Sequence, residues 1–447
     1  MNISFKTLGC RLNQHETDAL VSAFYRAGYQ IVDFKEQADI TIINTCTVTS
    51  QSDHKSRNII QQAIQNNPNG QVIVTGCMAE QYKTDLEQIP GVAMVISNND
   101  KSNILNIVEQ KLGFATSTKI SSGVFNYQPV QKSLHTRAAI KIQDGCDNYC
   151  TFCIIPQVRG RAISRPVNEV IQAVKDTIAN GFKEIVLTGV NIGRYYHEGT
   201  RFTGLLKQIL DISGDFRIRI SSLEPDGFGT EFVELFRHPK LMPHLHLCLQ
   251  SGSDQILLKM RRMYTISSYM QLIGIIKATY TDFNLTTDII VGFPGETDRH
   301  FKESLNIVKQ IGFSHVHTFK YSVRQGTYAE RMPNQVNEKI KSKRSEMLRL
   351  LSEKNKKDYY QQFIGKTDRV LVEKDLGNNW YMGYGEHYIP VMFRYPQYLK
   401  NQWMEVKITK LTGGERLMVQ GIAVTNGIVT TNKHNKTYGL PSYQIAD

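Results

Sequence analysis

Short apolar runs and helix-spaced apolar positions alternate along the chain. Near the start, residues 3–8, 39–44 and 72–75 are strand-like runs, and residues 15–28 and 53–66 between them carry apolar side chains at helical spacing. Strand, helix, strand in series predicts parallel βαβ units. A cysteine follows each of the three strands, in Gly9-Cys10, Thr45-Cys46 and Gly76-Cys77. The cysteines are separated by 36 and 31 residues, about one βα unit each. Ligands of an open parallel sheet collect beyond the carboxyl ends of its strands. Three thiols far apart in sequence are therefore expected to converge.

Residues 117–133 are rich in Ser, Gln and Lys without clear periodicity and read as a linker. Six strand candidates follow, at 138–143, 184–189, 216–222, 244–250, 285–292 and 315–322, with helices such as 166–181, 267–280 and 299–312 between them. Six strand–helix repeats predict a partial (β/α)6 barrel whose open side admits a large substrate. A charged helix is expected at 337–363. Short strands at 370–373, 391–394, 404–408 and 417–423, parted by Gly and Asn turns, predict a small all-β barrel. The fold class is thus α/β multidomain, with a Rossmann-like N-terminal α/β domain at 1–116, the linker at 117–133, the partial barrel and bridging helix at 134–364, the all-β domain at 365–430 and a tail at 431–447.

Composition agrees with this division. At roughly 150 residues per domain, 447 residues hold about three domains. With 41% apolar and 21% charged residues the chain is expected to fold, not to be disordered or fibrous. No apolar run approaches the roughly 18 residues of a membrane-spanning helix. Met1–Lys6 lacks the layout of a signal peptide, so a cytoplasmic protein is expected. The net charge of +12 is uneven: 11 basic and 11 acidic residues in 1–133, 23 and 19 in 134–330, 19 and 11 in 331–447. A basic C-terminal region suits a polyanion such as RNA. Seven cysteines in such a chain point to metal or redox chemistry, not to disulfides.

Cys146, Cys150 and Cys153 form a C-x3-C-x2-C loop directly after the first barrel strand. Three thiolates on one loop hold three corners of a cubane iron–sulfur cluster and leave one iron open. Structural zinc wants four protein ligands and usually paired C-x2-C spacings, so zinc fits less well.

That loop, with Phe152 before its last cysteine, resembles the signature of radical S-adenosylmethionine (SAM) enzymes. Nearly the whole chain resembles the methylthiotransferases of that superfamily: an N-terminal three-cysteine domain, a radical SAM barrel and a C-terminal TRAM domain. The matching motifs are Thr7-Leu8-Gly9-Cys10-Arg11-Leu12-Asn13-Gln14-His15-Glu16, Asn44-Thr45-Cys46-Thr47-Val48, Thr75-Gly76-Cys77, Pro156-Gln157-Val158-Arg159-Gly160-Arg161, Leu249-Gln250-Ser251-Gly252-Ser253 and the segment from Asp288 to Thr297. The first motif is most similar to the branch that acts on N6-threonylcarbamoyladenosine in tRNA. The resemblance implies two 4Fe–4S clusters, one on Cys146, Cys150 and Cys153 and one on Cys10, Cys46 and Cys77. It also implies S-adenosyl-L-methionine as cofactor, cleaved to a 5′-deoxyadenosyl radical that abstracts hydrogen from adenine C2. The second cluster then donates sulfur, and a second SAM donates the methyl group. The expected partners are the tRNA anticodon loop, where the target is position 37, and an external electron donor such as a flavodoxin or ferredoxin. The sulfur source is unspecified, and no membrane is involved. The alternatives are a methylthiotransferase for isopentenyladenosine in tRNA or for a ribosomal-protein aspartate, and more remotely a non-catalytic metal-containing RNA-binding protein.

By the same resemblance, Gly189, Asn191, Ser222, Glu224, Gln250 and Arg262, which fall at or after the ends of barrel strands, are expected to hold SAM, Arg262 by pairing with its carboxylate. His244, His246, Cys248 and Gln250 alternate onto one strand face. With no carboxylate evident beside them, they read as a polar barrel interior. In the C-terminal domain, aromatic residues from Trp380 to Trp403 interleave with bases, which suits stacking on unpaired RNA bases.

Overall fold

The computed structural model describes residues 1–113, 123–127, 130, 133, 135–413, 417–425 and 428–429. The expected tail at 431–447 and most of the expected linker lie outside them. The chain divides into two compact units, Met1–Tyr359 and Tyr360–Asp447.

The first unit opens with β1 (Asn2–Thr7), α1 (Arg11–Arg26), β2 (Gln30–Val32), β3 (Ile40–Thr45), α2 (Ser50–Asn66), β4 (Gln71–Gly76), α3 (Cys77–Gln81), α4 (Lys83–Glu87), β5 (Val92–Ile96) and α5 (Ile104–Lys111). The strands form one parallel sheet in the order β2-β1-β3-β4-β5. Its central strands are apolar and buried on both faces, as a parallel sheet covered by helices requires. The short strands β2 and β5 are additions to the three read from sequence.

The same unit continues through β6 (Ala138–Lys141), a ribbon of β7 (Gln143–Asp144) and β8 (Ile163–Ser164), α6 (Ile155–Arg159), α7 (Val167–Ala179) and β9 (Glu184–Thr188). The hairpin of β10 (Tyr196–His197) and β11 (Thr200–Arg201) follows, then α8 (Phe202–Leu210), β12 (Arg217–Ile220), β13 (Ser222–Leu223) and α9 (Thr230–Glu234). Next come β14 (His244–Leu247), α10 (Asp254–Lys259), α11 (Ile266–Thr279), β15 (Asn284–Val291), α12 (Asp298–Ile311) and β16 (His315–Lys320). All barrel pairings are parallel, in two arcs, β6-β9-β12 and β13-β14-β15-β16. The strand expected over 216–222 is therefore two: it breaks at Ser221, where the chain passes from one arc to the other. Strand β14 stops at Leu247, short of the expected 250, and Gln250 has a left-handed backbone with φ 63°. At the amino-terminal end of the barrel, buried Glu184 pairs with Arg217 and Arg219, and their attraction overcomes burial to keep its carboxyl ionised. That end is closed by charge pairing, which leaves the carboxyl ends of the strands for chemistry.

Helix α13 (Glu338–Gln361) matches the expected charged helix. In the second unit, β17 (Thr367–Gly377), β18 (Trp380–Tyr384), β19 (Pro390–Arg394), β20 (Trp403–Thr412) and β21 (Met418–Thr425) form a sheet in the order β19-β18-β17-β20-β21. The pairing of β19 with β21 closes it into a five-stranded barrel. Strand β18, unforeseen, supplies buried Tyr381 and Tyr384. None of the described helices is long and apolar enough to cross a membrane.

Candidate functional site

Two sets of three thiols are built differently. In the first, Cys10 is the N-cap of α1, Cys46 follows β3 and Cys77 is the first residue of α3. Each stands where a strand gives way to a helix, at the carboxyl edge of the sheet. The unpaired N–H groups of a helix start favour anionic ligands there. Asn13 laces the edge together by donating to Leu8 O (2.8 Å) and Thr45 O (3.0 Å). Gly9 adopts φ 90°, and a Cβ there would stand 2.8 Å from the Cys46 sulfur, so only glycine admits this approach. Cys46 and Cys77 are buried and Cys10 is exposed. Burial, then the neighbouring Cys77, pushes the Cys46 thiol up to about 12. Burial also raises Cys77, against the opposing pull of Arg159. Thiols so hard to ionise in isolation are suited to a cation that takes the proton's place.

The second set is local. Cys146, Cys150 and Cys153 ride one loop and are all half-buried. Gly145 enters it at φ 67°, with a Cβ position 1.9 Å from Arg161 O. Cys146 N–H donates to Gly160 O (3.1 Å), and Tyr149 bends the loop with φ 47°. Burial, then Cys150, pushes the Cys153 thiol up to about 12. Arg262 donates to the Cys150 sulfur (3.1 Å) and pairs with Glu224.

The other residues expected to hold SAM gather around this loop in part. Buried Asn191 faces Cys146, its Nδ2 lying 3.9 Å from the sulfur, and its N–H donates to Gln143 Oε1 (2.7 Å). Among the described residues the Asn191 Oδ1, which is buried, has no partner. Gly189 packs so tightly on Gln143 that a Cβ would approach its carbonyl oxygen to 2.8 Å. Ser222 is exposed, whereas its neighbour Ser221 has a buried hydroxyl without a partner among the described residues. Arg262 and Glu224, both expected to hold SAM, are paired with each other.

A carboxylate does stand beside the His-x-His-x-Cys face, contrary to the reading from sequence. Asp288 of β15 lies 3.1 Å from His246 Nε2, and the donor atoms of His246, Cys248 and Asp288 lie within 4.8 Å of one another. Burial opposes ionisation of Asp288, but His246 outweighs it and lowers its pKa. The sequence concealed this partner because it sits on the neighbouring strand, in register with β14 (His246 faces Thr286).

A network that sequence motifs contained but did not assign joins the two halves. Arg159 at the end of α6 donates to Glu16 (3.0 and 3.2 Å), Asp144 (3.2 and 3.1 Å) and Asn13 Oδ1 (2.6 Å). Lys101 and Lys141 also bind Glu16, at 2.6 and 2.9 Å, and Lys141 binds Asp144 at 2.5 Å. All six side chains are buried. Burial opposes ionisation of Glu16, but Arg159, then Lys101 and Lys141, hold its carboxyl well below the usual range. Phe125 and Tyr127 cover the Lys141 ammonium at 5.6 and 5.7 Å. Arg324 makes a second tie, from the segment after β16 to Asp53, Thr47 O (3.1 Å) and Ser50 (2.6 Å) beside Cys46.

A cavity of about 200 Å³ opens between these halves. Val48 and Thr49 of the Cys46 loop line one side, and Phe152, Gln250, Asp288 and Phe319 line the other. In the second unit both tryptophans carry a guanidinium on the ring face: Arg394 over Trp380 at 4.9 Å and Arg369 over Trp403 at 4.4 Å. Tyr381, Tyr384 and Phe393 are buried, while Tyr398 is exposed.

Two family descriptions match the chain: the uncharacterized protein family UPF0004 over residues 2–97 and the radical SAM superfamily over residues 140–308. The threonylcarbamoyladenosine tRNA methylthiotransferase MtaB of Bacillus subtilis is 38% identical over 425 residues, 91% of this chain and 94% of the relative. Its Thermotoga maritima counterpart is 38% identical over 87% of this chain and 90% of the relative. The tRNA-2-methylthio-N6-dimethylallyladenosine synthase of Fusobacterium nucleatum is 33% identical over 91% of this chain and 97% of the relative. Among solved structures, the radical SAM methyltransferase TsrM of Kitasatospora setae, with cobalamin and a [4Fe-4S] cluster bound, aligns with a TM-score of 0.55 at 13% identity over 74% of each chain. That likeness is one of fold.

Proposed function

The chain belongs to the radical SAM methylthiotransferases, and from this membership we propose how its residues share the work. It is a tRNA methylthiotransferase that converts N6-threonylcarbamoyladenosine to the 2-methylthio form, and it uses two 4Fe–4S clusters and S-adenosyl-L-methionine. When bound, these groups supply the radical, the sulfur and the methyl group. Cys146, Cys150 and Cys153 are the residues for the cluster that works with SAM. Cys10, Cys46 and Cys77 are the residues for the sulfur-donating cluster. Each set brings three sulfur donors, which fits a cubane with one open iron.

The cavity between the Cys46 loop and the Cys146–Cys153 loop is the observation that carries this division. Its size suits one base taken out of the anticodon loop, at position 37. Phe152 and Phe319 offer apolar walls, and Asp288 and Gln250 offer polar groups to orient the base. Asn191, Gly189, Ser222, Glu224, Gln250 and Arg262 are proposed to seat SAM, Arg262 exchanging Glu224 for the cofactor carboxylate. The domain roles follow: sulfur donation by 1–116, radical generation by 134–364 and a grip on RNA by 365–430. The proposed setting is the cytoplasm, with a flavodoxin or ferredoxin as electron donor.

Nucleoside mass spectrometry of tRNA from cells lacking the gene tests this reading. The expected result is loss of 2-methylthio-N6-threonylcarbamoyladenosine with accumulation of its precursor. Persistence of the methylthio form overturns it, and loss of methylthio-isopentenyladenosine instead reassigns the substrate.

A further inference from the structure

We propose that Arg159 is a positioning residue that sets the charge balance, and so the reduction potential, of the cluster on Cys10, Cys46 and Cys77; this rests on the assignment of those thiols above. The network beside Cys77 has three cations, Lys101, Lys141 and Arg159, against two carboxylates, Glu16 and Asp144. Among the described residues of this network one positive charge is left over. A cubane core with two positive charges, held by three thiolates, has one negative charge in excess and gains another on reduction. Buried charges demand partners, because water is not there to screen them. The surplus cation and the surplus anion therefore answer each other.

The geometry identifies Arg159 as the residue that conveys this. Its guanidinium is fixed by five hydrogen bonds to Asn13, Glu16 and Asp144, so its direction is not free. Its neighbour Val158 packs with Ile154 against Cys77, and its partner Asn13 holds Thr45 O beside Cys46, so the guanidinium stands next to these thiols. Lys141, by contrast, is turned toward the two carboxylates and the rings of Phe125 and Tyr127. A donor near a cluster sulfur raises the potential by stabilising the added electron. Because Asp144 leads directly into the Gly145-Cys146 turn, the same guanidinium also ties the sulfur-donating thiols to the base of the radical loop.

Full-length Cys150→Ala protein, reconstituted so that only the N-terminal thiols hold a cluster, gives the test by EPR-monitored redox titration. In that background Arg159→Gln should shift the reduction equilibrium at least tenfold against the reduced form, about 59 mV lower for one electron. Arg159→Lys, which keeps the charge, should stay near the parent value. Loss of iron in Arg159→Gln with retention in Arg159→Lys also supports the proposal. An unchanged potential in Arg159→Gln overturns it, and so does loss of iron in both variants, which would mean that shape and not charge is required. If the Cys150→Ala parent itself loads no iron, the assignment of the N-terminal thiols fails instead.

Discussion

The two thiol sets reach the same donor count by opposite routes. One is a loop: three cysteines within eight residues, shaped by Gly145 and Tyr149, half-open to a diffusing cofactor. The other is a product of tertiary structure, with three strand ends brought together by a parallel sheet and two of its thiols buried. A site that must admit and release SAM is well served by a local, accessible loop. A site proposed to donate sulfur is well served by two buried thiols, one exposed thiol and a matched counter-charge. On the proposed assignment, ligand number alone does not set a cluster's role; access and field do.

Removing one thiol from each set breaks the comparison most sharply. Cys150→Ala should abolish SAM cleavage, read as 5′-deoxyadenosine by liquid chromatography, because an incomplete loop cannot hold its cluster. Cys46→Ala should retain cleavage and lose sulfur insertion, read by mass spectrometry of tRNA nucleosides. Full thiolation in Cys46→Ala would remove the sulfur-donor role.

The glycines give the next largest effect. An Ala Cβ at Gly145 would meet Arg161 O at 1.9 Å, and one at Gly76 would meet Thr45 O at 2.4 Å, both at positive φ. Backbone on both sides leaves no side chain to yield, so each substitution should cost at least about 1–3 kcal/mol. Each should also empty one cluster: about four irons remain of about eight, on the N-terminal set for Gly145→Ala and on the radical loop for Gly76→Ala. Iron and sulfide assays with Mössbauer spectra check this. Equal loss from both sets in either variant would show that the two regions fold as one.

Local features were legible in the sequence, and so were features with a period. The C-x3-C-x2-C loop needs only spacing, and the strand-end cysteines need only the βα rhythm. The network was hidden, because Glu16 meets Lys101, Lys141 and Arg159 across 85, 125 and 143 residues. A faint signal existed: Asn13 and Glu16 lie on the buried face of α1, where polar residues need a reason. Asp288 was hidden from His246 for a related reason, since strand register fixes who meets whom. The turn at Gln250 escaped the pattern because leucines alternate on to Leu249, past the strand end at Leu247, whereas at Ser221 the alternation itself slips, with two serines before Leu223.

The effect that touches the clusters least concerns the joint between the regions, and it depends on pH. His15, five residues after Cys10, places Nδ1 2.6 Å from Ala139 O of β6, so it links the N-terminal helix to the first barrel strand as a neutral donor. Burial, then the Lys141 cation, pushes its pKa down to about 4, with Arg165 adding to this and the Ala139 carbonyl and Glu16 opposing it. In the unfolded chain the group titrates near 6.5. Below that pH the unfolded chain takes up a proton that the native joint refuses. The stability contribution is therefore full above about 6.5 and is lost as pH falls toward 4, by roughly 3 kcal/mol at the limit. His15→Asn keeps a donor and removes the titration. Urea unfolding of parent and variant at pH 7.5 and 4.5 should give a double difference of that size and sign. Other acid-sensitive groups, Glu16 included, are common to both proteins and cancel. A double difference near zero would mean that the joint admits the proton, and that the two regions are held together less tightly than the five buried charges beside them imply.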